Sequence, residues 1–274
     1  MPSKPKLGQN FLRDDSAVQR IASALGDVSG ETVVEIGPGQ GAITRLLAEK
    51  ARHVIAVELD RDLAGALRGQ FPSERITLVE QDVLQFDFAA AAAQAGKRLV
   101  IAGNLPYYIT SPILLKLASH HAVLDRAVLM VQREVAERVV AKPGSRDYGL
   151  LSVTVQMYGP AEPLFTLPPS AFSPPPDVHS SVFRWRFAPR FADLGVEEAV
   201  FLRFVRQLFA QKRKTLSNNL RAAGFDAADI QAALQAASLP ALARAEELRI
   251  ETLAALFNTF AKKAASTSET ASQV

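Results

Sequence analysis

At 274 residues, 48% of them hydrophobic, the chain is too long for a typical single compact domain and too apolar to be disordered. It contains no cysteine, which excludes disulfides and Cys-ligated zinc and suits a reducing compartment. The formal net charge of +3 and a pI near 9.2 permit a nucleic-acid partner without demanding one.

The first stretch, with Lys4 and Lys6, reads as an arm that leads through Gly8-Gln9-Asn10-Phe11-Leu12 into a helix over 16–25. Apolar, β-branched runs at 32–36, 54–57, 76–79, 99–102 and 127–131 then alternate with helical patterns at 43–50, 63–67 and 112–120. The alanine-rich 89–95 reads as a weak helix or a loop. Continuous apolar strands alternating with helices predict a parallel sheet covered on both faces. Further strands are expected at 150–158 and 180–187, separated by a proline-rich loop over 160–176. The character changes after Pro189, and from Val196 onward the pattern is helical throughout. The boundary near Ala188 gives a first domain over 1–188 and a small helical domain over 189–262. The Ser/Thr/Ala-rich 263–274 is expected to be a disordered tail. No apolar run reaches the ~18 residues of a membrane span. The first residues lack the apolar centre of a secretory signal, so the cytoplasm is the expected location.

Glu35-Ile36-Gly37-Pro38-Gly39-Gln40-Gly41 follows the first of these strands and opens a helix. Glycines there allow a tight turn and close approach of a ligand. Glu58, at the end of the next strand, is placed to bind the two hydroxyls of a ribose. The segment therefore reads as a site for a nucleoside-containing cofactor. Its glycines also fit the dinucleotide fingerprint, so a nicotinamide cofactor stays open on this segment alone. Glu35, a carboxylate suited to an amino group, and Asp82, suited to an adenine amine, favour S-adenosylmethionine. Taken alone, Asp82 reads as a helix cap and Glu58 as a surface charge.

Gly103-Asn104-Leu105-Pro106-Tyr107-Tyr108 follows the fourth strand. The lone pair of an adenine amine is delocalised into the ring, so methylating it requires localising and aiming that pair. Two hydrogen-bond acceptors on the amine's two hydrogens would do so, and the Asn104 side-chain oxygen and the Leu105 carbonyl are the candidates. Pro106 stiffens the corner, and Tyr107 offers a face to stack on an extruded base. A bare Asn-x-Pro is usually only a turn; its position directly after this strand is more specific. Phe172, at the head of the rigid loop Phe172-Ser173-Pro174-Pro175-Pro176-Asp177-Val178-His179-Ser180, is a candidate for the other wall of the base pocket. Ordinary packing is the competing reading. Arg203, Arg206, Lys212, Arg213, Lys214 and Arg221 form a cationic run without an acidic residue, suited to RNA phosphates; a solvated helix face is the plainer alternative. Arg133, Arg138 and Lys142 are weaker candidates. The four histidines show no metal spacing, and no metal is expected.

Together these segments, with Gln211-Lys212-Arg213-Lys214-Thr215-Leu216, resemble the ribosomal RNA adenine N6,N6-dimethyltransferases, most closely the bacterial KsgA-type enzymes of the small subunit. The resemblance implies an α/β, Rossmann-like seven-stranded methyltransferase fold with a small all-helical C-terminal domain. It implies S-adenosylmethionine as cofactor, with Asn10, Leu12, Gly37, Glu58, Asp82 and Asn104 around it. It also implies transfer of four methyl groups to two adjacent adenines in the 3′-terminal hairpin loop of 16S rRNA, on the (pre-)30S subunit. Nothing in the sequence suggests an obligate dimer, so a monomer is expected. A 23S-directed resistance enzyme and a mainly non-catalytic 30S assembly factor are the alternatives.

Overall fold

The computed structural model describes residues 9–71 and 74–271. Lys4, Lys6 and Gly8 lie outside them. The chain divides into two compact units, one of residues up to Glu137 together with Gly159–Ala188, the other of Arg138–Tyr158 together with residues from Pro189.

The first unit contains β1 (Phe11–Leu12), α1 (Asp15–Ala24), β2 (Thr32–Ile36), α2 (Ala42–Lys50), β3 (His53–Glu58), α3 (Arg61–Arg68), β4 (Ile76–Glu80), α4 (Phe88–Ala95), β5 (Leu99–Asn104), α5 (Thr110–Ser119) and β6 (Leu124–Gln132). Then α6 (Arg133–Val140) carries the chain into the second unit, which holds α7 (Leu150–Met157). The chain returns to the first unit for β7 (Ala161–Leu167), β8 (Phe172–Ser173) and β9 (Ser180–Arg186). The main sheet has the order β4-β3-β2-β5-β6-β9-β7. Its first five strands are parallel, and β9 and β7 run antiparallel at one edge. β2 is buried throughout, as a strand covered on both faces must be. The strand order reverses at β2, which has β3 on one side and β5 on the other, and ligands bind in α/β sheets at such a switch point. Ile36 is in register with both Val57 and Gly103, so the glycine loop, Glu58 and Asn104 all emerge at one edge of the sheet.

The second unit is helical: after α7 come α8 (Glu198–Leu208), α9 (Leu216–Ala222), α10 (Ala227–Ala236) and α11 (Ile250–Ala271). Phe201, Phe204, Phe225, Phe257 and Phe260 form an aromatic centre with ring centroids 4.6 to 6.0 Å apart. Among the described residues, no helix is long and apolar enough to cross a membrane.

Three expectations are corrected. The strand expected at 150–158 is the helix α7. Its Val153, Thr154 and Val155 favour strands, but Ser152, Val153, Thr154, Val155 and Met157 are all buried, and packing overrides propensity in a helix covered on nearly every side. The Gly149 N–H donates to Ser152 Oγ at 3.0 Å at the start of this helix. The segment 138–158, assigned from sequence to the first domain, groups with the helical unit. The loop expected over 160–176 contains β7, an edge strand that tolerates Pro163 because an edge leaves one side unpaired, and the short β8. The last helix, α11, extends as far as Ala271.

β2 and β5 approach closely at Gly103, where an added Cβ would stand 2.8 Å from the Ile36 carbonyl oxygen. Gly103→Ala is expected to lower stability by about 1–3 kcal/mol through overpacking. Urea unfolding of the variant checks this.

Candidate active site

One cavity opens at the carboxyl ends of the parallel strands. Its walls are residues 9–12 of the arm, the glycine loop, Glu58-Leu59, Gln81-Asp82-Val83 and residues 104–109. About 1040 Å³ of empty space, counting the mouth, matches the size of a nucleoside-type ligand site. Gly37, Gly39 and Gly41 all have positive φ, at 65°, 58° and 83°, conformations that side chains disfavour. The Gly37 N–H donates to Val57 O at 3.0 Å, which ties the loop to β3.

Glu58 is 5% exposed, and its carboxylate is built into this loop. Oε2 accepts from Gly39 N at 3.1 Å and Oε1 from Asp60 N at 3.0 Å. Each oxygen keeps a second lone pair, which a ribose hydroxyl can use. Asp82 takes the capping role with one of its two oxygens. Oδ1 caps a short 3₁₀ turn by accepting from Leu84 N at 2.9 Å, and Oδ2 accepts no hydrogen bond among the described residues.

Glu35 is 1% exposed. Burial pushes its carboxyl up to about 7; Thr44 beside it opposes the rise, and the Glu58 charge adds to it. Glu35 Oε2 and Thr44 Oγ1 nevertheless lie buried without a hydrogen bond. An unsatisfied carboxylate oxygen on a cavity wall is costly unless something pairs with it.

The arm closes one side of the cavity. The Phe11 ring packs on the glycine loop so closely that a Cβ at Gly39 would meet it at 3.1 Å. Leu12 and Phe11 pair with Phe172 and Ser173 as β1 and β8, and Arg13 N donates to Ala171 O at 2.8 Å. Sequence patterning alone gave no reason to put Asn10 and Leu12 beside a ligand. In the structure both line the cavity.

In the Asn104 to Tyr107 segment every group has a defined setting. The Asn104 amide nitrogen donates to the Asn10 carbonyl at 3.1 Å. A carbonyl accepts only, so this contact fixes which end of the amide is which and leaves Oδ1 without a hydrogen bond among the described residues. The Leu105 N–H donates to Met130 O at 2.9 Å, while the Leu105 carbonyl accepts no hydrogen bond among the described residues. The Pro106 carbonyl is held by Ile109 N at 3.2 Å and Thr110 Oγ1 at 3.1 Å. Tyr107 OH bonds Ser180 Oγ at 2.6 Å, and burial pushes its phenol above the usual range. Ser180 and Thr110 were not singled out from sequence, and a lone hydroxyl gives no signal there.

Phe172 is not brought to the cavity. Its ring is 4% exposed and packs in the hydrophobic core with Leu12, Val18 and Val182. Of the two readings considered from sequence, ordinary packing is the one observed, because β8 turns this ring inward when it pairs with the arm.

In the helical unit Arg203, Arg206, Lys212, Arg213, Lys214 and Arg221 are all exposed, and none forms an ion pair within the described residues. Arg133, by contrast, pairs with Glu137. Asn219, unmarked in the sequence, is 3% exposed and clamps the basic turn. Its Oδ1 accepts from Gln211 N at 3.1 Å and its Nδ2 donates to Gln211 O at 3.3 Å. Among the described residues no group of His, Asp and Glu is arranged to hold a metal ion.

A switch-point cavity with a glycine cradle, an unpaired buried carboxylate and an Asn-Leu-Pro-Tyr turn beside it marks an S-adenosylmethionine-dependent methyltransferase. The family model described as "Ribosomal RNA adenine dimethylase" matches residues 2–262, and the chain belongs to that family. It is 57% identical over 257 residues, covering 93% of this chain and 90% of the other, to "Ribosomal RNA small subunit methyltransferase A" of Acidobacterium capsulatum. A protein of the same name from Koribacter versatilis is 49% identical over 271 residues, with 94% and 95% coverage. Among solved structures, a dimethyladenosine transferase from Plasmodium falciparum superposes with a TM-score of 0.80 at 24% identity, covering 93% of this chain and 98% of the other, a likeness of fold. The 23S rRNA methyltransferase ErmE gives 0.70 at 26% identity, with 91% and 99% coverage.

The cavity's carboxylates suit the cofactor: Glu35, Glu58 and Asp82 line it, and an ammonium group, ribose hydroxyls and an adenine amine are all groups that a carboxylate would hold. A pH dependence follows from Glu35. Below pH 4.5 the group is protonated in folded and unfolded chains alike. Between 4.5 and about 7 the unfolded chain ionises while the folded one keeps its proton, so stability falls as pH rises through that window. The decline is on the order of 3 kcal/mol. Urea unfolding of cofactor-free protein at several pH values should show it, and Glu35→Gln should flatten it.

Proposed function

We propose that this chain transfers methyl groups from S-adenosylmethionine to the exocyclic amines of two adjacent adenines in the 3′-terminal hairpin loop of 16S rRNA, within the pre-30S subunit. The name carried by its relatives from Acidobacterium capsulatum and Koribacter versatilis favours the small subunit over 23S rRNA. The setting proposed is the cytoplasm, and the working form a monomer.

The single observation that carries the chemical reading is the pair of free acceptors, Asn104 Oδ1 and the Leu105 carbonyl, on one turn of the cavity wall. When bound, the cofactor supplies a methyl group made electrophilic by its sulfonium. The two acceptors take the amine's two N–H bonds and draw the nitrogen lone pair out of conjugation with the ring. Tyr107, its hydroxyl held by Ser180, presents a fixed ring for the base to stack on. Attack by the nitrogen would break the methyl–sulfur bond and leave a neutral thioether; the methylated nitrogen, positively charged, would then lose a proton to solvent. No metal and no strong base is required, and positioning supplies most of the catalysis. After the first transfer one N–H remains, and one acceptor still holds it for the second.

The exposed cations of the helical unit are suited to hold phosphates of the same RNA. Each phosphate they neutralise adds salt-dependent affinity.

Asn104→Ala is expected to lower methylation of undermethylated small subunits by on the order of 100-fold, the effect of removing one preorganised transition-state hydrogen bond. The variant should stay folded, its urea midpoint lowered by no more than the roughly 1 kcal/mol of its lost hydrogen bond to Asn10; wild-type rates would remove Asn104 from the mechanism. Replacing Arg213 and Lys214 with Glu should weaken binding to small subunits. It should also reduce the slope of log K against log salt by about 0.7–0.9 for each phosphate that is no longer neutralised. Binding titrations at several salt concentrations measure both effects.

A further inference from the structure

The catalytic turn carries two consecutive tyrosines in opposite settings. Tyr107 is half-buried and tied to Ser180 through its hydroxyl. Tyr108 is 60% exposed, lines the same cavity, and makes no hydrogen bond among the described residues. Its backbone is nonetheless held firmly. Tyr107–Ile109 is a 3₁₀ turn, and the Pro106 carbonyl at its start accepts from both Ile109 N and Thr110 Oγ1. A flat aromatic face is therefore presented to solvent from a fixed platform at the mouth of the site. Leu59, 47% exposed on the same cavity, adds an apolar edge.

An aromatic face at this place suits a nucleobase better than a protein. A protein interface needs a larger apolar patch with a buried centre, and Tyr108 and Leu59 are the exposed large hydrophobic residues among those lining the cavity. A nucleobase needs one ring, and stacking tolerates any base because each has a π face. A strand that delivers one nucleotide into the cavity must leave its neighbour at the mouth, next to Tyr108.

We propose that Tyr108 stacks on the nucleotide adjacent to the one held for methylation, and so acts as a positioning residue for the RNA strand. This rests on the adenine-methylation reading. Stacking of this kind is present before and during the chemical step, so its removal should appear chiefly in KM.

The test is steady-state methylation of undermethylated small subunits by the full chain with Tyr108→Ala, Tyr108→Leu and Tyr108→Phe, together with calorimetry of S-adenosylmethionine binding. Ala and Leu are expected to raise KM for subunits about tenfold, with a much smaller fall in kcat. Phe is expected to restore KM, and the cofactor Kd to stay at the wild-type value in all three. Unchanged KM in Tyr108→Ala, or a Leu variant as good as Phe, would overturn the stacking role. So would a weakened cofactor Kd, which would make the ring a cover for the cofactor. A wild-type chain that methylates no ribosomal RNA would overturn the functional reading and this inference together. The other outcomes overturn this inference alone.

Discussion

The hydrogen bond from the Asn104 amide to the Asn10 carbonyl is the contact on which the site depends. A hydrogen bond of this kind contributes about 1 kcal/mol to stability, so its importance is directional. It turns a side chain with two interchangeable-looking ends into one with a single free acceptor. It also joins two segments 94 positions apart, the arm and the turn after β5. Neither can be displaced without disturbing the other.

The arm holds that position through several weak contacts. β1 pairs with β8, Phe11 packs on the glycine loop, and Gln9 Nε2 reaches Asp60 Oδ2 at 3.4 Å. The glycine loop is in turn pinned by Glu58, whose two oxygens each take a backbone N–H. One continuous set of contacts thus runs from β8 through the arm to the loop and to Asn104. Ser180, at the end of the proline-rich loop that follows β8, holds Tyr107 from the other side. The walls for cofactor and base are therefore parts of one assembly, and preorganisation of that sort is what a positioning mechanism needs.

Much of this was legible in the sequence, for identifiable reasons. Runs such as Thr32-Val33-Val34-Glu35-Ile36 show parallel strands because strands buried on both faces must be apolar throughout. The glycine loop shows because only glycine fits three positive φ values in close succession. The Leu150 region did not show, because a buried helix and a buried strand share the same apolar run and periodicity cannot separate them. Phe172 was ambiguous for a related reason: an aromatic beside prolines fits a pocket or a core, and only the β1–β8 pairing decides. The settings of Asn10, Ser180 and Asn219 depend on contacts across long sequence separations, which local pattern does not encode. The resemblance to a known family had placed Asn10 near the cofactor, but only the geometry shows what its carbonyl does.

The most direct measurement is a crystal structure of the chain with S-adenosylhomocysteine and adenosine monophosphate in the cavity. The account predicts the adenine amine nitrogen within about 3 Å of both Asn104 Oδ1 and the Leu105 carbonyl, with the Asn104 nitrogen still on Asn10. An adenine amine bound elsewhere, or an Asn104 amide turned so that its nitrogen faces the base, would contradict it.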